Sequence, residues 1–381
     1  MGVAVYYIIL AAVIILGRLM PQSGKQKKNY IIVMAVIHAF VSGFRYRYLT
    51  GDLQKYAFTY YKLNEKGWFD DDVFSEGRNF LFTWFLKAVN HLTDKDFCAV
   101  LLIVAIVVEI AVAIVIFRHS PSPWLSYLIW NCFGFYIFGF SALKQSFAMA
   151  FIMLAFSAIM NGKQSKFIIW TVIAGCIHLP ALIFLPSYWI VRRKLTYRSF
   201  VFYGILVGLI FVLRDDIVQF VSEFYYEDNT TFVSSGRVGG RFMMMCMILL
   251  AGAFMKGISG RKFTTVFNII AIGTVIQLFS SFDNVFTRLA DYYLQMTVIF
   301  IPMMFTEYED GEFEGAPKGL KLYFNKKQMT ALVVCLVALS IAFYYVTNLS
   351  IEIDFIDDYT NYRFDWEVKE DLWDVIDKQA Y

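Results

Sequence analysis

The chain has 381 residues, of which 59% are hydrophobic, 19% aromatic and 17% charged, and its formal net charge at pH 7 is +3. Soluble globular chains have about a quarter charged residues and about half apolar ones, so this composition excludes an ordinary soluble protein. The net charge decides little, because in a membrane protein the distribution of charge along the chain carries the information.

Apolar blocks long enough to cross a membrane recur along the whole chain. The clearest is FCAVLLIVAIVVEIAVAIVIF at 97–117, which has the length that the hydrocarbon core requires and carries one charge, Glu109. The segment 79–92 is too short to span and is typical of an interfacial helix. We predict an all-α polytopic membrane protein with about ten full transmembrane helices. The predicted crossings lie near 3–19, 30–45, 97–117, 123–139, 143–160, 199–213, 241–256, 263–281, 290–306 and 329–347.

The segment 167–191 is predicted to be a re-entrant or broken helix pair. Basic clusters on both sides of it, at 163–166 and 192–198, favour the cytoplasm. The residues between them are too few for two full passes. His178 and Pro180 interrupt GCIHLPALIFLP, and a proline breaks a helix, so we place His178 near the tip of the pair.

The same charge rule sets the rest of the topology. The basic residues at 25–28 make the first loop cytoplasmic, so the segment 45–96 and the loop 214–240 lie outside. We therefore predict a transmembrane domain at 1–347 and an acidic extracytoplasmic tail at 348–381. A single pass over 167–191 is the alternative, but it would put the basic clusters at 256–262 and 318–327 outside.

On this topology the unusual polar residues gather on the outer face. A single basic residue at a helix end usually extends to the lipid headgroups, but several charges at membrane depth indicate function. Arginine and lysine with carboxylates and a histidine suit a polyanionic lipid headgroup and acid–base chemistry. The gathered residues are Arg45, Arg47, Asp52, Glu76, Lys144, Gln145, His178, Arg237, Arg241, Arg288, Asp291, Tyr292 and Tyr293.

Motifs for cofactor and metal chemistry are absent from the sequence. It has no dinucleotide or Walker loop, no HExxH and no nucleophile elbow. The five cysteines all lie in apolar blocks without metal-ligand spacing and are typical of small core residues. We therefore predict a reaction without metal or cofactor, on a substrate with its own activated bond.

Several short motifs resemble the EpsG family of polysaccharide polymerases, a Wzy-like group. In FRYRYLTGDLQKY, Arg45, Gly51, Asp52 and Tyr56 match the family's arginine, Gly-Thr-Asp and tyrosine, with glycine and threonine in swapped order. The other matching motifs, in order over roughly residues 30 to 305, are Glu76 before an apolar helix, ALKQSFAMAF with Gln145 matching and Lys144 replacing an arginine, CIHLPALIFLP with His178, and TRLADYY with Arg288.

The resemblance implies a glycosyltransferase on the outer face of the bacterial cytoplasmic membrane. Such an enzyme polymerises oligosaccharide repeat units carried on undecaprenyl pyrophosphate, for O-antigen, capsule or exopolysaccharide. Its expected partners are these lipid-linked glycans and membrane lipids, with a chain-length regulator protein as a further candidate and no nucleic acid. The alternatives are an O-antigen ligase-like glycosyltransferase, a lipid-linked oligosaccharide flippase and a membrane O-acyltransferase.

The resemblance and the outer-face cluster together assign candidate roles. The candidate bases are His178, Asp52 and Glu76, and we favour His178 because a histidine titrates near neutral pH. Arg47 matches no family position, so its replacement is expected to be mild. The candidate residues for binding pyrophosphate and glycan are Arg45, Lys144, Gln145, Arg241, Arg288, Tyr56 and Tyr292.

Overall fold

The computed structural model describes residues 4–21, 23–63, 66–68, 70, 79–191, 239–256, 261–281, 283–305 and 362–368, with a few positions between 205 and 219. These residues are almost entirely helical, and one isolated antiparallel bridge is their only strand-like pairing. The chain divides into two compact units. The first comprises residues 1–158, 165–182 and 334–381, and the second comprises residues 159–164 and 183–333.

The first unit is built on the pairing of two long helices, α2 and α5. Gly43 at the end of α2 permits close approach, since a Cβ there would lie 2.7 Å from Leu102 of α5. The elements of this unit are α1 (Ala4–Leu19), α2 (Gly24–Gly43), α3 (Gly51–Lys62), α4 (Phe80–Leu92), α5 (Phe97–His119), α6 (Pro123–Cys132), α7 (Phe135–Ser141), α8 (Leu143–Met160), α9 (Gln164–Ile177) and the 3₁₀ segments Leu179–Phe184 and Asp365–Glu367.

The second unit is organised around one helix, α12, which packs against α11, α13 and α14. Gly252 of α11 and Gly273 of α12 again sit where neighbouring side chains approach closely, Phe300 in one case and Tyr293 in the other. The described elements of this unit are α10 (Ser187–Ile190), α11 (Gly240–Lys256), α12 (Arg261–Gln277), the 3₁₀ segment Leu278–Ser281, α13 (Val285–Leu294) and α14 (Thr297–Met304).

Three described helices are long and apolar enough to cross a membrane: Phe97–His119, Leu143–Met160 and Arg261–Ser280. Four shorter apolar helices accompany them, at Ala4–Leu19, Gln164–Ile177, Leu179–Ile190 and Gly240–Gly252. The architecture is that of an all-α membrane protein, in which only part of the predicted set of full crossings is present as single long helices. The crossing predicted at 329–347, and most of the one at 199–213, lie outside the described residues.

Two predicted crossings are wrong as single helices. The segment 123–139 is divided into α6 and α7 at Gly134, whose positive φ of 80° is open to glycine without strain. The segment 290–306 is divided between α13 and α14, where the Thr297 hydroxyl donates to the Leu294 carbonyl at 2.8 Å. Such side-chain bonds compete with helix bonds. Hydropathy did not detect these breaks because both segments are predominantly apolar on average, whatever their local backbone.

The predicted break at His178 is confirmed. Helix α9 ends at Ile177, and a 3₁₀ segment begins at Leu179. The side chain of Leu182 lies where a Cβ on Gly175 would be, although seven residues of straight helix would separate these positions by about 10 Å. The chain therefore turns sharply after α9, and its re-entry into a membrane stays a prediction. Residues 80–92 form the helix predicted there, and its interfacial position is likewise untested.

Candidate functional site

The stretch that follows α2 places Arg45 in the interior of the first unit. Only 1% of Arg45 is exposed. Its guanidinium donates to the carbonyl of Ser42 and, at 3.2 Å, to the carbonyl of Gly139 in α7. The same group lies over the Phe140 ring, 5.1 Å from its centroid. Arg45 thus ties the end of α2 to α7, and a direct contact with substrate stays a prediction.

Asp52 lies in the first turn of α3. This helix was not predicted from the sequence. Thr50 begins this helix, because its hydroxyl accepts from the Leu53 N–H at 3.3 Å. The carboxylate of Asp52 accepts from the Ser141 hydroxyl at 3.5 Å and lies 3.9 Å from the exposed Lys55 ammonium. A carboxylate in the first helical turn is favoured by the helix dipole. Asp52 and Arg45 therefore both contact α7, near its C-terminal end.

Lys144 and Gln145 begin the next helix, directly after the part of α7 that Arg45 and Asp52 contact. Lys144 is half-buried, and Gln145 is buried with 3% exposed. Helix α8 starts at Leu143, so Lys144 adds its charge to the positive end of a helix dipole. We call residues 139–145 the α7–α8 junction. In the first unit, the structure brings Arg45, Asp52, Lys144 and Gln145 together around this junction.

Tyr56 connects to the same region through a series of aromatic rings. It is half-buried on α3 and meets Phe82 edge to face at 5.7 Å. Phe82 contacts Phe85, which lies 5.0 Å from Phe147 of α8. Aromatic contacts of this kind fix the relative position of the helices. Tyr56 is therefore held by packing, with a partly accessible ring.

His178 is buried at the end of α9, with 7% of the residue exposed. Its main chain closes the helix, since His178 N–H donates to Ala174 and Ala181 N–H donates back to His178. The N–H of Leu179 donates to the Asn79 side chain at 3.3 Å. The break is thereby tied to the start of α4, three residues after Glu76. Glu76 itself lies outside the described residues, as does Arg237.

The second unit contains its own arginine–carboxylate cluster. Arg241 of α11 forms an ion pair with Asp291 of α13, whose side chain is only 5% exposed. Arg288, one turn earlier on α13, is half-buried and electrostatically coupled to Asp291. Tyr292 is fully buried in this unit. The sequence analysis named Asp291 as a neighbour of Arg288 but did not predict its pairing with Arg241.

A second feature that the sequence analysis missed joins Arg47 to the acidic tail. The carboxylate of Asp365 receives two parallel bonds from the Arg47 side chain, Nε to Oδ1 at 2.8 Å and Nη2 to Oδ2 at 2.6 Å. Asp96 lies on the other side of the guanidinium, with its Oδ1 3.4 Å from Nη1. We call residues 362–368 the C-terminal strap.

The Arg47–Asp365 pair sets the charge state of both groups. Partial burial alone would raise the pKa of Asp365, but the hydrogen bonds and the charge of Arg47 outweigh it, so that pKa is lowered. The hydrogen bonds with Asp365 correspondingly raise the pKa of Arg47. The pair is therefore ionised throughout the neutral range. Only charge complementarity along the chain could have suggested it, because 318 positions separate the two residues.

Metal ligation finds no support in the part of the chain that the structure describes. No group of three or more His, Cys, Asp or Glu side chains in it is placed to hold a metal ion. The arrangement offers instead cations, carboxylates and one histidine at helix ends. Such groups bind and stabilise phosphate charge and transfer protons.

Comparison with known proteins assigns the family. No curated protein and no solved structure matches the chain. Residues 28–364 match the EpsG family, a range that includes both clusters, the break at His178 and the first residues of the strap. The match extends beyond the motifs at 30–305 and covers nearly the whole length, and on that basis the chain belongs to the EpsG family.

Proposed function

We propose that this protein is a Wzy-type polysaccharide polymerase. It joins oligosaccharide repeat units carried on undecaprenyl pyrophosphate, at the outer face of the bacterial cytoplasmic membrane. Membership of a family of Wzy-like polymerases and the all-α membrane architecture support this class of activity. The observation that carries the proposal is the α7–α8 junction, where Arg45 and Asp52 hold the segment that presents Lys144.

The reaction breaks one bond and forms one. A sugar hydroxyl of the acceptor unit attacks the anomeric carbon of the donor glycan and forms the new glycosidic bond. The bond between that carbon and the pyrophosphate oxygen breaks, and undecaprenyl pyrophosphate leaves with the electron pair. The hydroxyl proton passes to a base on the protein.

Lys144 holds the pyrophosphate and neutralises part of its charge as it leaves. Lys144 acts as a point charge at the start of α8, where the helix dipole also favours an anion. Gln145 and Tyr56 contact the glycan or its phosphate beside it. The second unit has a separate candidate anion-binding group of its own, in which Asp291 orients Arg241 and Arg288 lies one turn before Asp291 on α13. Fixed charges of this kind stabilise a developing anion best because they need no reorganisation during the reaction.

His178 is the proposed base. Its backbone is fixed by the end of α9 and by the bond between Leu179 and Asn79, and only 7% of the residue is exposed. An unperturbed imidazole changes charge near neutral pH, which suits a group that accepts a proton and releases it again. Asp52 and Glu76 are the second choices, and Asp52 has a side chain that is 30% exposed.

The side of the membrane follows from the same topology. Residues 44–47 and the C-terminal strap are bonded to each other, so both lie on one side of the bilayer. The positive-inside rule assigns that side to the exterior, because the first turns of α2, at its other end, carry Lys25, Lys27 and Lys28. Lipid-linked repeat units are polymerised on that face.

Product length distinguishes the proposed activity from its alternatives. Purified protein in liposomes is mixed with a lipid-linked repeat unit, and the products are separated by size. A polymerase produces a ladder of glycans that differ by one repeat. A single transfer to another acceptor would indicate a ligase, and movement of the unit across the bilayer without elongation would indicate a flippase. Either of these results would overturn the proposal.

A further inference from the structure

The C-terminal strap is hydrogen-bonded to the stretch that carries Arg45. The N–H of Tyr46 donates to the Arg363 carbonyl at 2.8 Å, and the N–H of Asp365 donates to the Phe44 carbonyl at 3.0 Å. Between these bonds, Arg45 and Phe364 form an isolated antiparallel bridge. The strap, more than three hundred positions away in the chain, thus adds one main-chain hydrogen bond on each side of Arg45.

Two side chains fasten the strap, one at its centre and one at its first residue. At the centre, Asp365 is held by the paired bonds from Arg47. At the first residue, Tyr362 is fully buried, and its hydroxyl donates to the Val41 carbonyl at 2.8 Å. Charge-assisted paired bonds are among the strongest polar contacts in proteins, so the strap has two independent attachments.

Aromatic packing closes the space between these attachments. Phe364 and Trp366 stack with their centroids 4.4 Å apart and their planes 7° from parallel. Phe364 is only 7% exposed, and the ring of Phe40 lies 5.9 Å away. An aromatic side chain of this kind buries about 150–250 Å². Lifting the strap would expose Tyr362 and Phe364 together, which favours a permanently docked segment over a lid that opens in each turnover.

Arg45 lies directly beneath this cover. Its guanidinium is placed over the Phe140 ring, and Phe140 in turn contacts Tyr362 at 6.1 Å. Arg45 also bonds to Gly139 at the α7–α8 junction. A displacement of the strap would therefore free the backbone around Arg45 and loosen the segment that carries Lys144.

We propose that the C-terminal strap is a fixed positioning element of the polymerase site. Asp365, Arg47 and Tyr362 are positioning residues: they hold Arg45 against Gly139, and Arg45 holds the junction that presents Lys144 to the pyrophosphate. This inference rests on the proposed function. It gives the acidic tail a role in the reaction, and it makes Arg47 more important than its position outside the family motif predicts.

The proposal is tested by replacing the Arg47–Asp365 ion pair with a disulfide, which can be formed and reduced at will. Asp365→Ala removes the attachment to Arg47, and Tyr46→Cys with Arg363→Cys puts a cysteine on each chain of the bridge. Opposed residues of an antiparallel pair have Cα atoms about 5.5 Å apart, within the range of about 4.4–6.8 Å that a disulfide needs. A protease site inserted within residues 307–321 reports bond formation, since only the disulfide then holds the two fragments together on a non-reducing gel.

The same triple variant is assayed for polymer before and after reduction. We expect oxidised protein to produce polymer within about twofold of the unsubstituted protein. Reduced protein should produce about tenfold less, the effect of losing a charge-assisted bond. Because the oxidised and reduced assays use the same protein preparation, differences in folding yield or protein amount do not affect the comparison. Each cysteine substitution alone controls for bridges to the natural Cys98, which lies beside Asp365.

Three outcomes would contradict the inference. Equal activity in both redox states would show that the strap does not position the site. Activity only after reduction would identify the strap as a lid that must open. Failure of the disulfide to form would show that the strap is not docked. If the unsubstituted protein makes no ladder, the proposed function fails instead, and the gel still reports docking of the strap.

Discussion

The two units hold their arginines in different ways. In the first unit Arg45 donates to the uncharged carbonyls of Ser42 and Gly139, under an aromatic cover. In the second unit Arg241 bonds to the carboxylate of Asp291. Neutral carbonyls fix an arginine without cancelling its charge, whereas a carboxylate fixes it and offsets that charge. The comparison therefore predicts different consequences of mutation in the two clusters.

The largest expected effect is on activity, at Arg45. Arg45→Ala removes the bond to Gly139 and the charge over Phe140, so we expect polymer yield to fall roughly ten- to a hundredfold at normal protein level. Arg363→Ala is the matched control, because the side chain of Arg363 is exposed and only its carbonyl is used in the bridge. A normal glycan ladder from the Arg45→Ala variant would show that Arg45 has no role in the site.

The next effect is on stability, in the second unit. Asp291→Asn leaves Arg241 without its carboxylate in a mostly buried place, which we expect to lower the free energy of unfolding by about 3 kcal/mol. The measurement is thermal unfolding of the protein in detergent. Arg241→Gln combined with Asp291→Asn should recover part of the loss, since the charge that was paired directly with Asp291 is removed as well. Additive losses in the double variant would show that the pair contributes no coupling energy.

The smallest effect is on the pH dependence of the strap. The pKa of Asp365 is lowered in the folded protein, so its contribution to stability is present above its unfolded pKa of about 4 and is lost as the pH falls through the folded value. We expect Asp365→Asn to melt at a lower temperature than the unsubstituted protein at pH 7. The difference should begin to shrink as the pH falls below about 4 and should vanish once Asp365 is protonated in the folded protein. A difference that did not shrink on acidification below about pH 4 would assign the stabilisation to another group.

Local sequence signals predicted the local features of this molecule. Pro180 after His178 predicted the end of α9, because proline cannot continue a helix, and the structure has the break at that position. Gly134 was hidden in an aromatic run and was not recognised as a break. Helix α3 was missed because its surface is polar and its apolar face is short, although Thr50 is a typical N-cap.

Long-range features of the candidate site could not be predicted in the same way. The motif around Arg45 marked the correct stretch, but its cover comes from Tyr362 and Phe364, more than three hundred positions away. The Arg47–Asp365 pair is similarly remote, and a single sequence contains no signal that selects one carboxylate of an acidic tail over another. Replacement of Arg47 was expected to be mild because Arg47 matches no family position, whereas the structure bonds Arg47 to the strap.

The central claim is that the α7–α8 junction binds the lipid pyrophosphate through Lys144. The most direct measurement is the polymer ladder made in liposomes by Lys144→Arg and Lys144→Ala, with the exposed Lys166→Ala as control. A point-charge contact predicts that the arginine variant keeps most of the activity, the alanine variant loses about tenfold or more, and the control is unchanged. Equal ladders from all three variants would contradict this claim. They would show that Lys144 only extends to the headgroups of the surrounding lipids, as basic residues at helix ends usually do.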